Sequence, residues 1–199
     1  MDRAEERRLI ELAAEGDQDA ASGIIRHHQQ SLYAYMLRMS GRPDVAEDIV
    51  QEAFVRVLTN LDRFDFRYRF STWLFTIARR LYLNACAKHR PTYDSEMVGA
   101  WRGDGQTPDA PVVADEQHGA LRDTLQIALM GLTPDQREVV VLFHQLDWPI
   151  ALIARHLDMP EGTVKSHLHR GRKRLRTLVE AQRTSDAHDT LGAFQEASL

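Results

Sequence analysis

The chain has almost no cysteine. Among 199 residues only Cys86 carries a thiol, which excludes an internal disulfide and a cysteine-based zinc site and suits a reducing cytoplasm. Long apolar runs are missing too. No stretch reaches the roughly 18 residues of a membrane span, so no membrane insertion is expected, and the opening MDRAEERRLIELAAEG lacks the layout of a signal peptide. Nor is there a surplus of positive charge: 25 basic residues face 29 acidic ones, a net charge of −4, which on average argues against a nucleic-acid binder. No convincing strand is found. The one alternating piece, Phe64 to Phe70, is short, has no pairing partner and reads as a loop. A Ser/His/Asp set, a P-loop and a glycine-rich phosphate loop are all missing, so no enzyme is expected. Of the nine histidines, His167 and His169 would lie about 200° apart on a helix, and His27, His28 and His144 have no partner at ligand spacing; neither metal nor cofactor is expected.

The distribution of charge points the other way from its average. Residues 1–90 carry 14 basic and 13 acidic groups and residues 119–181 carry 9 and 7, whereas 91–118 carry 1 and 6 and the tail 182–199 carries 1 and 3. From Phe66 to Tyr93 there are six basic residues and no acid, and from His156 to Arg176 six basic residues against Asp158 and Glu161. Two basic surfaces joined by an acidic connector are the expected pattern.

Apolar spacing is helical on both sides of the connector, so the expected fold is all-α, two small helical domains (1–90 and 119–181) joined by a flexible linker at 91–118. Four helices are expected in the first: 3–15, 18–39, Pro43 to Leu61 with Asp44 and Glu47 in capping-box spacing, and one that starts at Ser71 as N-cap and stops before Pro91. Four more are expected in the second: 119–130, Thr133 to about Gln145, Pro149 to Leu157, and, after a tight Asp158-Met159 turn, Pro160 to about Ala181. Short helix, turn and longer basic helix make a helix-turn-helix.

Three features carry chemistry. On the last helix, Val164, Leu168, Gly171, Leu175 and Leu178 form the inward stripe, leaving Ser166, His169, Arg170 and Lys173 outward, with no acid between Glu161 and Glu180. On the third helix, Asp48, Gln51 and Glu52 gather opposite the apolar side with Val55 between, a pattern suited to a basic protein partner. From Asp62 to Arg90, Phe64, Phe66, Tyr68, Phe70, Trp73 and Tyr82 interleave with arginines, as needed to stack unpaired bases and follow a backbone, although helical spacing equally allows several of these rings to be core.

Together the features carry a resemblance. AEDIVQEAFVRV resembles the core-polymerase-binding motif of bacterial sigma factors, FSTWLFTIARRLYLNA looks like the promoter −10 helix, and GLTPDQREVVVLFHQLDWPIALIARHLDMPEGTVKSHLHRGRKRLR is similar to the −35-binding domain, with its G-T-V-K-S at Gly162–Ser166. The order, over about residues 18–180 with nothing before and no third domain between, matches the extracytoplasmic-function (group 4) subfamily of the sigma-70 family. The chain departs from the family pattern at Arg80 (usually Asn), Asn84 (commonly Asp), His167 (usually Arg) and Gly171 (usually Ala).

The resemblance implies a cytoplasmic transcription initiation factor that docks on RNA polymerase core, selects a promoter and helps open it, in response to a stress or signal. It assigns Asp48, Gln51, Glu52 and Val55 to polymerase; Phe64, Arg67, Tyr68, Arg69, Ser71, Trp73, Arg79, Arg80 and Asn84 to −10 DNA; and Thr163, Lys165, Ser166, His167, His169, Arg170, Arg172, Lys173, Arg174 and Arg176 to the −35 element. An anti-sigma factor is the further partner it implies, and the alternative is a stand-alone helix-turn-helix regulator. Arg172, Arg174 and Arg176, late in the helix, are expected on phosphates, and the tail 182–199 is expected to be dispensable.

Overall fold

The computed structural model describes residues 1–88 and 115–196, so the connector expected at 91–118 lies outside the described residues except for its last four. The chain divides into two compact units, Met1–Ser95 and Glu96–Leu199. All regular structure among the described residues is helical.

In the first unit, α1 (Arg3–Ala14) starts under Asp2, whose carboxylate accepts from the amides of Ala4 and Glu5 at 2.8 Å each. Those two bonds favour the charged form and lower the Asp2 pKa. Asp17 caps α2 (Gln18–Ser40) in the same way, and Gly41 ends it in the left-handed conformation at φ 69°, which costs a residue without Cβ nothing. Helix α3 (Pro43–Leu58) differs from expectation. Its N-cap is Arg42, with Pro43 in the first turn and no side-chain cap, and Asp44 turns outward to pair with the Arg42 guanidinium. Proline pre-sets the first turn, so Asp44 is released from capping. The helix also stops three residues early, and a 3₁₀ turn (Leu61–Arg63) follows.

The last helix of this unit, α4 (Phe70–Lys88), begins one residue before the expected Ser71 cap. The Trp73 amide already bonds the Arg69 carbonyl, so Ser71 lies inside the first turn. Between Leu61–Arg63 and α4 the chain forms the expected loop. Ile24, Leu32, Tyr35, Met36, Val57, Phe70, Leu74 and Phe75 fill the core, each such side chain contributing about 1.5–3 kcal/mol of burial.

In the second unit, α5 (Asp115–Met130) starts earlier than expected. Helix α6 (Pro134–His144) opens at the expected cap, the Thr133 hydroxyl accepting from the Gln136 amide. Helix α7 (Ile150–Leu157) ends at Asp158, left-handed at φ 54°, and the Met159 amide bonds the Ala154 carbonyl to close the turn. Helix α8 begins at Glu161 and runs to Glu196, beyond the expected end near Ala181; no proline interrupts that stretch. At the α6–α8 crossing the backbones come close: a Cβ on Gly171 would lie 2.8 Å from Val140 Cγ2 and 3.4 Å from the Gln136 carbonyl oxygen.

One buried cation holds this unit together. Arg137 of α6, 7% exposed, donates to the carbonyls of Leu129, Met130 and Leu132 at 3.0, 3.2 and 3.3 Å. Its charge lies at the negative pole of α5, and it adds to the bond that the Leu129 carbonyl already accepts from the Leu132 amide. Arg174 of α8 adds a fourth bond, from Nε to the Gly131 carbonyl at 2.9 Å.

Candidate functional site

The outer face of α3 presents Asp48, Gln51, Glu52 and Val55 to solvent, with Val55 57% exposed. Ala46, Ile49, Val50, Ala53, Phe54 and Val57 are buried on the other side. Positions 48, 52 and 55 follow one another at helical spacing, so the acids and the apolar side chain form one continuous strip. Glu52 shares its charge with Arg56 at 2.6 Å, while no ion pair among the described residues engages Asp48. Asp48 is therefore the carboxylate most ready for a basic partner.

In the loop before α4, Phe64 is 8% exposed and packs against Phe66, Phe70 and Trp73 with ring centroids 5.1–5.6 Å apart. The Phe64 ring, expected at the −10 DNA, thus packs in the aromatic cluster of the free chain. Phe75 packs on Tyr35, and the Tyr82 hydroxyl bonds the Met39 carbonyl at 2.9 Å, so these aromatics too serve the fold. Tyr68, by contrast, is 62% exposed. A turn sets it there: the Tyr68 amide bonds the Asp65 carbonyl at 3.0 Å, and the Asp65 carboxylate accepts from the Arg67 amide and side chain. The Arg67 side chain, then the Arg67 amide, lowers the Asp65 pKa, so Arg67 stands in an internal pair. Arg69 is exposed. On α4, Trp73, Arg80 and Asn84 share one helix face at positions i, i+7 and i+11; Trp73 is half-buried, Arg80 and Asn84 exposed. Ser71 and Arg79, both half-buried, lie on other faces, and Arg79 is engaged within the protein.

Contacts to this loop also come from far away in sequence. The Arg3 guanidinium donates to the Phe66 carbonyl at 3.2 Å, and Arg7 lies over the Phe66 ring at 4.5 Å. Sixty-three residues separate Arg3 from Phe66, and no local pattern announces the meeting.

On α8, Val164, Leu168 and Gly171 are buried and Leu175 and Leu178 half-buried, the stripe expected from spacing. His169, Arg170, Lys173 and Arg176 are exposed on the opposite side, with no ion pair among the described residues. Ser166 is half-buried and its hydroxyl donates back to the Gly162 carbonyl at 2.9 Å, leaving it as an acceptor. Thr163 is exposed, Lys165 stands 4.0 Å from Glu161, and His167 is half-buried.

Two arginines expected on phosphates are engaged inside the unit. Arg174 bonds Gly131, and Arg172 donates from Nε to His144 Nε2 at 2.8 Å while lying 5.0 Å over the Phe143 ring. Burial first, and then the Arg172 charge, lowers the His144 pKa against the opposing pull of Asp147, which keeps the ring a neutral acceptor. Positions 172 and 174 fall on the flanks of α8, about 80° either side of the inward stripe, where a long side chain reaches the neighbouring helices.

Comparison with known proteins places the chain in a known class. Sigma-70 region 2 matches residues 24–92, covering α2 to α4, and Sigma-70, region 4 matches residues 122–175, covering most of α5 to the middle of α8. The class is that of sigma-70 factors, which bind RNA polymerase core and direct promoter recognition at initiation and are not themselves enzymes. Within it, the chain belongs to the extracytoplasmic-function (ECF) RNA polymerase sigma factors. It is 36% identical over 180 residues to ECF RNA polymerase sigma factor SigW of Bacillus subtilis, covering 85% of this chain and 94% of that one. It is 32% identical over 170 residues to RNA polymerase sigma factor CarQ of Myxococcus xanthus, covering 85% and 95%. The fold is shared with CnrH, solved with the cytosolic domain of CnrY, at a TM-score of 0.65, 22% identity and 89% and 98% coverage. RpoE of Bartonella quintana, solved with the anti-sigma factor NepR, shares it at a TM-score of 0.62, 24% identity and 80% and 96% coverage. No helix among the described residues is long and apolar enough to cross a membrane.

Proposed function

We propose that this ECF sigma factor divides initiation between its two surfaces. Residues 1–90 dock on core polymerase through Asp48, Gln51, Glu52 and Val55 and hold the opened −10 strand with Tyr68, Arg69, Trp73, Arg80 and Asn84, with Arg67, Ser71 and Arg79 in support. Residues 119–181 read the −35 element through the outward face of α8: Ser166, His169 and Arg170 toward base edges, Lys173 and Arg176 toward phosphates, with Thr163 and Lys165 at the entering end. Residues 91–118 connect them and 182–199 are a tail. The protein acts in the cytoplasm, without enzymatic chemistry of its own, on a stress or other signal. Opening draws on binding to the strand that melting exposes. An anti-sigma factor is the expected inhibitor, the kind of partner with which RpoE of Bartonella quintana was solved.

The observation that carries this division is that one chain holds both an exposed acidic and apolar strip on α3 and a basic outward face on α8 with no acid between Glu161 and Glu180. A stand-alone regulator needs only the second. Charge reversal of Asp48 and Glu52 tests the division: core affinity falls and its salt dependence flattens, with helical content kept. Unchanged core affinity in the folded double variant would remove α3 from the polymerase interface.

A further inference from the structure

Helix α1 precedes the region 2 match, which starts at residue 24, and none of the surfaces above uses it. It packs on the unit through buried Ile10 and half-buried Leu9, Leu12 and Ala13, an ordinary apolar face. Beside that face, residues 3, 6, 7 and 10 line the side turned toward the loop, and there exposed Arg3 and Arg7 and half-buried Glu6 replace apolar side chains. Each meets a specific group: Glu6 stands 3.2 Å from buried His28 of α2, Arg3 donates to the Phe66 carbonyl, and Arg7 covers the Phe66 ring. Glu11, one turn further, bonds Arg7 Nε at 2.8 Å and so fixes the guanidinium in its place. Ile10 with Leu9, Leu12 and Ala13, and Glu6 beside His28, thus seat α1 on the unit, and Arg3 and Arg7 reach from that seat to the loop.

The loop's own turn, from Asp65 to Tyr68, fixes local shape but not its position on the unit. Phe64 anchors one end in the aromatic cluster, and Phe66 packs edge-on against it. A cleft of about 370 Å³ between α1 and the loop keeps Tyr68 at its rim. We propose that α1 braces the strand-holding loop, with Arg3 and Arg7 as positioning residues that grip Phe66 by its carbonyl and its ring and thereby set where Tyr68 and Arg69 meet the opened strand. This rests on the loop's role in the reading above.

Hydrogen exchange across residues 64–70 of the free full-length chain tests the brace without DNA. Arg7→Ala should speed exchange there about two- to fivefold, the factor for one exposed cation–π contact, and Arg3→Ala should add to it. In a Phe66→Leu background, Arg7→Ala should add nothing, because the coupling runs through the ring. Unchanged loop exchange, or an Arg7→Ala effect that persists undiminished without the Phe66 ring, would overturn the brace. Should alanine melt α1, Arg7→Gln, a good helix former, carries the same comparison. The second arm uses holoenzyme and a labelled single-stranded oligonucleotide with the −10 region of a promoter found by run-off transcription. Its affinity should fall by a similar factor while core affinity holds. Faster loop exchange with unchanged strand affinity would leave the brace standing but refute the loop's role in holding the strand, and with it the positioning role of both arginines.

Discussion

Replacing Arg137 with Met should unfold the second unit well before it harms the first. Met keeps most of the stem and removes the guanidinium, so three bonds of 3.0–3.3 Å to the carbonyls of Leu129, Met130 and Leu132 are lost together. Each bond from a charged donor is worth about 1.5–3 kcal/mol net, but one guanidinium makes all three and its removal relieves the cost of burying it. The Leu129 carbonyl keeps its bond from the Leu132 amide, so the loss lies at the lower end for breaking a buried charged interaction, about 3 kcal/mol. For a unit of this size that lowers Tm by about 12–24 °C. Arg137→Lys should fall between, since one ammonium cannot reach all three acceptors of the fork. Scanning calorimetry of the full chain, with hydrogen exchange to assign each transition, makes the measurement. A shift under about 4 °C with unchanged exchange in α5 and α6 would show that Arg137 does not hold the two helices together.

Three further outcomes follow from the same geometry. Arg170→Ala should cost about 1–3 kcal/mol in holoenzyme binding to the matched −35 duplex and much less on a scrambled one, while Arg176→Ala should weaken both alike and flatten the salt dependence by about one counterion; equal losses on both duplexes for Arg170→Ala would make it a phosphate contact. Gly171→Ala gains about 1 kcal/mol of helix propensity but drives a Cβ to 2.8 Å from buried Val140, an overpacking cost of about 1–3 kcal/mol, so thermal melting should show a net loss of about 1 kcal/mol. The lowered His144 pKa favours the neutral ring in the fold, so its contribution is present above about pH 6.5 and is lost as pH falls through the folded value; His144→Gln should remove that pH dependence from unfolding curves of the second unit.

Periodicity and turn chemistry carried most of the fold. The Thr133-Pro134 start, the Asp158 turn and the inward stripe of α8 were all legible because each is decided within a few residues. Helix ends shifted where a neighbour competed: Arg69 took the start of α4 from Ser71, while α3 began at Pro43 as expected but without Asp44 in the capping role. The aromatic run from Phe64 to Tyr82 shows the same limit for the site. Composition gives a row of rings beside arginines, but whether a ring faces solvent depends on what packs over it, which left Tyr68 outside and sank Phe64 and Phe75. Arginine partners were the least legible. Arg172 and Arg174 are expected on phosphates because charge is visible in sequence, whereas their His144 and Gly131 partners, 28 and 43 residues away, are not. Their flank positions on α8 were the available signal.

If this chain gives core polymerase its choice of promoter, the choice must be visible in the transcripts. Run-off transcription on genomic fragments, with core enzyme alone, with the chain, and with the Asp48 and Glu52 charge-reversed chain, tests it most directly. Discrete transcripts should appear only with the unaltered chain and fade with the variant. Transcripts identical to those of core alone would contradict the role of the chain in promoter choice.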